Sequence, residues 1–298
     1  MYIQTRYMKY MGRMKVGNMA GTLYLCATPI GNLEDITYRT VRILGEVDLI
    51  AAEDTRHSIK LLNHFNIKTP MTSYHEFNKY DKATYLVSKL LEGENIAIIT
   101  DAGTPGISDP GEELVRQCHE AGVKVEALPG PCALIAAVTS SGLPTRRFAF
   151  EAFLPMDKKE RRLILEEMKS ETRTIVLHEA PHRLVKTLEE LLEVLGNRAV
   201  AVCRELTKKY ETIHRFMLEE AIVYFKETEP KGEIVLVVKG KDQEEIKKEA
   251  EEKWESMPLS EHMDIYINQG KDKKTAMKLV AADRGMAKRD VYKQLLEE

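Results

Sequence analysis

The sequence contains no apolar run approaching the ~18–20 residues that a bilayer-spanning helix requires, which argues against an integral membrane protein. Cysteine is sparse: Cys26, Cys118, Cys132 and Cys203 are scattered, with no CxxC pair and no metal-ligand spacing. That excludes a disulfide framework, argues against a metal site, and fits reduced, mostly buried thiols in a cytoplasmic protein. A large charge excess is also missing. The formal net charge of −3 excludes coating nucleic acid through bulk charge, while leaving room for a local basic patch. No G-x-G-x-x-G follows the first apolar strand and no G-x-x-x-x-G-K-[ST] occurs anywhere, so a standard dinucleotide fold and a P-loop are both disfavoured. The N-terminal stretch carries Arg6, Lys9, Arg13 and Lys15 but no apolar segment or cleavage pattern, so it is not a secretory signal. Regular patterning starts at Gly21. Residues 1–20 are expected to be a disordered extension, or to precede a start at Met19.

What is present is an ordinary globular composition, long enough at 298 residues for two domains. Residues 22–28, 47–53, 95–100 and 123–128 are short, apolar and rich in β-branched side chains, the pattern of buried parallel strands. Helical periodicities lie between them, which predicts an α/β sheet with crossovers. A second round has strands at 148–153, 173–180, 199–206, 211–217 and 232–240, again with helical segments between. Gly, Pro and Thr break the pattern at Gly142–Arg147. The expected layout is an N-terminal α/β domain over 21–145, a second over 146–240, and a charged linker with a basic tail over 241–298. In the tail, Lys271, Lys273, Lys274, Lys278, Arg284, Lys288, Arg289 and Lys293 face few acids. Helices broken at Gly270 and Gly285 resemble a helix-turn-helix that touches nucleic acid; a solvated helical hairpin is the alternative.

Ligands of open parallel sheets sit beyond the carboxyl ends of the strands. The segments following the first-round strands are "ATPIGNLED", "AEDTRH", "DAGTPGISDPG" and "LPGPCA", each richer in Gly, Pro, acids or hydroxyls than a connector needs. In "DAGTPGISDPG" (101–111), Gly103 and Gly106 permit close backbone approach to a ligand and φ > 0. Pro110 suits a helix start, and Ser108 or Asp109 suits its cap. Punctuation of that kind explains 109–111 but not 101–107, which therefore reads as ligand contact. The residues alone predict an α/β enzyme with a cleft ligand.

In order along the chain stand "TLYLCATPIGNLEDIT", "AAEDTRHSIKLL", "YHEFN", "IITDAGTPGISDPGEELV", "LPGPCALIAAV", "FLPMDKKERR", "HEAPHRL", "CRELTKKYET" and "PKGEIVLVV". Over 21–240 they resemble the RsmI branch of the tetrapyrrole methylase superfamily, the ribosomal small-subunit RNA cytidine 2′-O-methyltransferases. The basic tail is similar to the helix-turn-helix extension of that branch. The resemblance implies two α/β domains with S-adenosylmethionine in the cleft between them, a homodimer, and methyl transfer to a ribose hydroxyl in the decoding region. Carried residue by residue, it implies cofactor contacts from Pro29 and Gly31, from Asp101, Gly103, Thr104 and Ile107, and from Cys132 and Ala133. Leu177, Gly232 and Glu233 complete that set. Where the branch commonly has His-Glu-His-Asn-Glu, this chain has His75, Glu76, Phe77, Asn78 and Lys79, so a role for the second His or the last acid does not carry over.

A ribose 2′-hydroxyl is a poor nucleophile, and a base that accepts its proton would add ~10²–10⁴-fold. Glu53, Asp54 and His75 are the candidate catalytic groups; Glu179 and His182 are further ones. Capping of the following helix is the alternative for Asp54, and stabilisation of a turn for His75. Arg56, Arg183 and Arg204 adjoin the loaded loops and are expected to hold RNA phosphates, or else to pair with neighbouring acids. Lys158, Lys159, Arg161 and Arg162 crowd a helix start, against its dipole, which favours RNA contact over a merely solvated face. The competing functions are a tetrapyrrole or diphthine methylase of the same superfamily and a non-catalytic RNA-binding module.

Overall fold

The computed structural model describes residues 19–242, 244–246, 248, 254 and 257–296. Residues 1–18 of the expected N-terminal extension and much of the charged linker after residue 240 lie outside them.

The first sheet has the order β3-β2-β4-β1-β5, every neighbouring pair parallel, with β1 Thr22–Cys26, β2 Leu49–Ala52, β3 Met71–Ser73, β4 Ile96–Ile99 and β5 Lys124–Leu128. The two-residue alternation of a strand divides its side chains between two cores. Leu23, Leu25, Ile96 and Ile98 pack under α3 (Lys79–Leu91) and α4 (Gly111–Glu120). Cys26, Ala97 and Ile99 pack with Ile43, Leu44 and Leu62 of α1 (Tyr38–Glu46) and α2 (Thr55–His64) on the other face. The sequence reading did not include β3. It is three residues long, half-buried and at the sheet edge, and so lacks the apolar run that revealed the other strands.

The second sheet is mixed, with the order β6-β7-β10-β8-β9. Its strands are β6 Phe148–Phe153, β7 Thr174–Glu179, β8 Ala199–Arg204, β9 Thr212–Met217 and β10 Ile234–Val238. Only β6 and β7 run parallel; β10 pairs antiparallel with β7 and β8, and β8 with β9. Ile175, Leu177, Val200, Val202 and Leu236 face a core built with α6 (Lys158–Met168), α7 (Leu184–Leu195) and α8 (Leu218–Glu227). The opposite face, with Val176, Ala201, Cys203 and Val235, is covered by Leu134, Ala137 and Val138 of α5 (Ala133–Ser141) and by Ile30 from the first lobe. Thus α5, which precedes the expected boundary at 145, packs on the second sheet and joins the two lobes.

Among the described residues of the tail stand the helices α9 Leu259–Asn268, α10 Lys273–Asp283 and α11 Lys288–Gln294. They share a small core of Leu259, Met263, Ala276, Met277, Val280, Ala281 and Val291.

Candidate active site

In the first sheet, β4 and β1 are neighbours although they are not consecutive in sequence, and the loops leaving their carboxyl ends are tied together. Thr28 N–H donates to Gly103 O at 2.9 Å, Gly103 N–H donates back to Thr28 O at 3.0 Å, and the Thr28 hydroxyl donates to Thr100 O at 3.1 Å. Crossovers of a parallel sheet open a crevice at such a place. Beyond the tie, the loop is shaped by Asp109. Its carboxylate accepts the Gly106 and Ile107 N–H groups on one oxygen, at 2.8 and 3.2 Å, and the Gly111 N–H on the other, at 2.7 Å. Burial pushes the Asp109 carboxyl above its ordinary range, while those three N–H groups pull it back. Gly103 and Gly106 take φ of +85° and +86°, and Ser108 follows at +60°. Thr104 donates its hydroxyl to Pro131 O at 2.9 Å, joining this loop to the one after β5.

Three adjoining cavities line the cleft between the lobes, and Ile30 and Glu233 are walls of all three. One of about 180 Å³ is bounded by Gly103, Thr104, Ile107, Cys132, Ala133 and His178. A second, of about 290 Å³, lies deeper in the second lobe, with Phe153, Glu179, Cys203, Leu206, Gly232 and Val235 as walls. The third, of about 410 Å³, opens on the first lobe between Pro29, Gly31, His57, Lys60, Asp101 and Lys208. Of the eleven positions expected to contact a cofactor, ten line these cavities. Leu177 does not: its side chain is fully buried in the core under α6 and α7. The adjacent His178 is the residue at the cleft, because successive strand residues point to opposite faces. Its ring packs against Phe150 and Phe153 with centroids 5.3 and 5.4 Å away. Burial lowers its pKa, against a weaker pull upward from Glu233.

The candidate bases separate by what they touch. Asp54 caps α2, accepting the Arg56 N–H at 2.8 Å, and both carboxylate oxygens receive the Arg56 guanidinium. Those Arg56 hydrogen bonds pull its pKa down to about 2. This is the capping alternative, and with both oxygens on Arg56 it makes Asp54 the poorer candidate base. Glu53 accepts the Thr100 hydroxyl at 2.7 Å and lies beside the Asp101 N–H at 3.5 Å. Asp101, expected among the cofactor contacts, accepts the Asp54 N–H at 3.2 Å on one oxygen and lines the outer cavity. Burial, and then the neighbouring Glu53 charge, raise the Asp101 pKa above its ordinary value. His75 lines none of the three cavities. Its N–H and ring Nε2 face the Asn78 side chain, at 2.9 and 3.3 Å, and its Nδ1 is buried without a partner among the described residues.

Glu179 is buried, accepting the Ala180 N–H at 2.7 Å and the Thr187 hydroxyl. Arg161 is buried as well. Its guanidinium donates to Glu190 at 2.6 Å and to Thr187 at 2.7 Å, so it cannot reach a phosphate at the surface. Arg183 donates to Leu154 O at 2.8 Å and to the Met156 sulfur at 3.0 Å, and its Nε lies 3.4 Å from Glu179. It holds the segment after β6 in place. Arg204 spends its donors on Thr212, Tyr210 O and Lys231 O. Arg162 pairs with Glu166 and Glu193. Lys158, Lys159, Arg162 and Arg56 are the exposed cations of the expected RNA set, Arg162 paired with acids and Arg56 with its side chain 90% exposed even while bonded to Asp54.

The sequence reading missed Ile30, Phe153, His178 and Lys208. Lys208 bridges Glu205 at 3.0 Å and Glu233 at 3.2 Å. Its aliphatic stem lies over Gly31, where a Cβ would sit 2.3 Å from Lys208 Cγ, so first-lobe backbone and second-lobe side chain meet there. One signal follows from geometry: Glu205 and Thr207 take φ of 53° and 64°. Such strained residues gather at functional sites. Among the described residues no group of three or more His, Cys, Asp or Glu could hold a metal ion, and no helix is long and apolar enough to cross a membrane.

Comparison with known proteins places these features in a family. The model of the tetrapyrrole (corrin/porphyrin) methylases matches residues 22–222. The ribosomal RNA small subunit methyltransferase I of Halalkalibacterium halodurans is 51% identical over 91% of this chain and 93% of its own length. The protein of the same name from Synechocystis sp. is 48% identical over 93% and 98%. Among solved structures, a uroporphyrin-III-C-methyltransferase from Thermus thermophilus superposes with a TM-score of 0.53 at 21% identity, over 74% of this chain and 94% of that one. That level of identity speaks for the fold alone.

Proposed function

This chain belongs to the tetrapyrrole methylase family, in its small-subunit ribosomal RNA methyltransferase branch, and from that premise we propose that it methylates the ribose 2′-hydroxyl of a cytidine in the decoding region of that RNA. S-adenosylmethionine is the methyl donor that the family implies. The single observation that carries the reading is near-full-length identity of about half with two proteins named for this RNA. Homodimerisation and a cytoplasmic setting belong to the same reading, supported by the branch resemblance and the reduced cysteines.

The cleft fits the donor. Small and apolar side chains (Ile30, Ala133, Cys203, Leu206, Val235) suit the adenine ring, and the carboxylate of Glu233 suits the donor's ammonium. Gly103 provides close backbone approach: a Cβ there would lie 3.4 Å from Ile30 Cγ2 at a φ unfavourable for any side chain. Residues Gly103, Thr104, Ile107, Cys132, Ala133, His178, Gly232 and Glu233 would hold the donor. Bound there, it supplies an electrophilic methyl on a sulfonium whose leaving group is neutral.

This chain's residues then have two tasks. One is orientation, worth on the order of 7–11 kcal/mol where geometry is good. The tied 28/103 loops and the Asp109-braced turn supply rigidity for it. The other is removal of the 2′-hydroxyl proton. Asp101 does this with the oxygen not engaged by Asp54 N–H, and Glu53 keeps that carboxylate basic. The outer cavity, with Lys60, His57 and Lys208 on its walls, receives the ribose and its phosphates.

Incubation with methyl-labelled S-adenosylmethionine and either small ribosomal subunits or tetrapyrroles tests the function. Label in RNA with one phosphodiester made resistant to alkali is expected, because alkaline cleavage needs a free 2′-hydroxyl. Label in a base, in a tetrapyrrole or in protein contradicts it.

A further inference from the structure

The three tail helices leave a groove that the mechanism above does not use. It measures about 660 Å³, opens on α10 and α11, and is lined by Lys273, Lys274, Met277, Lys288, Arg289 and Tyr292, with no carboxylate among the described residues of its walls. Two nearby acids, Asp272 and Asp283, are engaged elsewhere. Asp272 caps α10, accepting the Lys274 and Thr275 N–H groups at 2.9 and 3.0 Å. Asp283 accepts the Tyr266 hydroxyl and faces His262 Nε2 at 3.2 Å. Asp290 lies 3.5 Å from Arg289, an exposed contact between sequence neighbours that contributes little. Among the described residues, Lys273, Lys274 and Lys288 pair with no carboxylate.

Four cations on the α10–α11 pair, in a chain whose net charge is −3, form a local positive patch that favours an anion between them. Beside them Tyr292 is 56% exposed, and Met277 forms an apolar floor. Phosphate-binding cations flanking an exposed aromatic face are the two elements of a single-stranded nucleic-acid site: charge follows the backbone and the ring stacks a base. We propose that this groove is a second RNA-binding site, which grips single-stranded small-subunit ribosomal RNA outside the catalytic cleft through its phosphates and one stacked base. The inference rests on the RNA-methyltransferase reading for the identity of the RNA, and on the groove itself for the mode of binding. The site adds affinity without touching the reacting atoms. Substrate and donor bound in the cleft should therefore react at an unchanged rate once the RNA is saturating.

The test uses the full chain carrying Lys273→Gln, Lys274→Gln, Lys288→Gln and Arg289→Gln together, all exposed positions, and separately Tyr292→Ala. Binding of a small-subunit RNA transcript is measured as a function of salt. Methylation of that transcript and of assembled subunits is measured as KM and kcat, and donor affinity is measured alongside. The fourfold variant is expected to bind the transcript at least tenfold more weakly and to lose about 3 from the magnitude of the log–log salt slope, at ~0.7 per single-strand phosphate. KM should rise, with kcat and donor affinity unchanged. Tyr292→Ala should weaken single-strand binding roughly tenfold. Unaltered transcript affinity and salt slope in the fourfold variant would overturn the proposal. So would a loss confined to assembled subunits, which would make the groove a protein-docking surface. Because the binding arm needs no catalysis, RNA bound by the wild type without methyl transfer would refute the enzymatic reading while leaving the groove tested.

Discussion

Asp101 and Asp109 both carry carboxyls held above the ordinary range, for different reasons and with different consequences. Asp101 is raised by burial and by Glu53, and it keeps one oxygen free beside the outer cavity. Asp101→Asn is expected to lower kcat by about 10²–10⁴-fold with donor affinity retained, as measured by single-turnover methylation and by titration. The sign of the pH effect follows from the same pair. Only ionised Asp101 accepts a proton, so the rate rises as pH passes upward through its pKa. Glu53→Gln removes the neighbouring negative charge and lowers that pKa. The acid limb of the kcat/KM profile should therefore shift to lower pH. Asp109 instead serves the loop backbone. Asp109→Ala leaves three N–H groups without their acceptor, at a cost of ~1–3 kcal/mol for a buried group, and S-adenosylhomocysteine should bind at least tenfold more weakly. At this scale the sequence was partly legible. Glycines and prolines marked the loop because they restrict or free φ in ways readable from residue type. Asp54 could not be distinguished from Glu53 as a base, because capping depends on which N–H a carboxylate meets in space, and Asp101 stood only among the cofactor contacts. Leu177 and His178 are one residue apart, which in a strand exchanges one face for the other, and only the His178 side chain reaches the cleft.

Among elements, the short apolar runs were readable as strands because buried strands need no polar face. The edge strand β3 escaped for the opposite reason. The mixed directions of the second sheet were hidden too, since periodicity carries no strand polarity. The tail helices are expected to respond to pH through His262. His262 is fully buried, stacked 3.9 Å from Trp254, with Nδ1 accepting from Arg284 Nε at 3.2 Å and Nε2 facing Asp283. Burial and then the Arg284 charge lower its pKa, outweighing Asp283. The neutral ring is therefore favoured by the folded tail. The stability it contributes is present above the ordinary histidine value near 6.5 and is lost as pH falls from there toward the lower folded value. Fluorescence of Trp254, the only tryptophan of the chain, should report loosening of the tail between about pH 7 and 5, and His262→Gln should flatten that dependence.

For the whole molecule, the architecture is two sheets with a cleft between them, joined by α5 on the second sheet and by Ile30 and Lys208 across the cleft. The two rounds of strands, the edge strand β3 aside, were evident from the sequence. How the lobes meet was not, because α5 carries an apolar pattern that either sheet could cover. The account depends on that meeting: the 101–107 loop must face His178 and Glu233 across a space that holds the methyl donor. The most direct test is a crystal structure of the chain with S-adenosylhomocysteine. The account predicts the ligand against Gly103, Thr104 and Ile107, with His178 and Glu233 on its other side. A ligand bound elsewhere, with the 101–107 loop in contact only with protein, would contradict it.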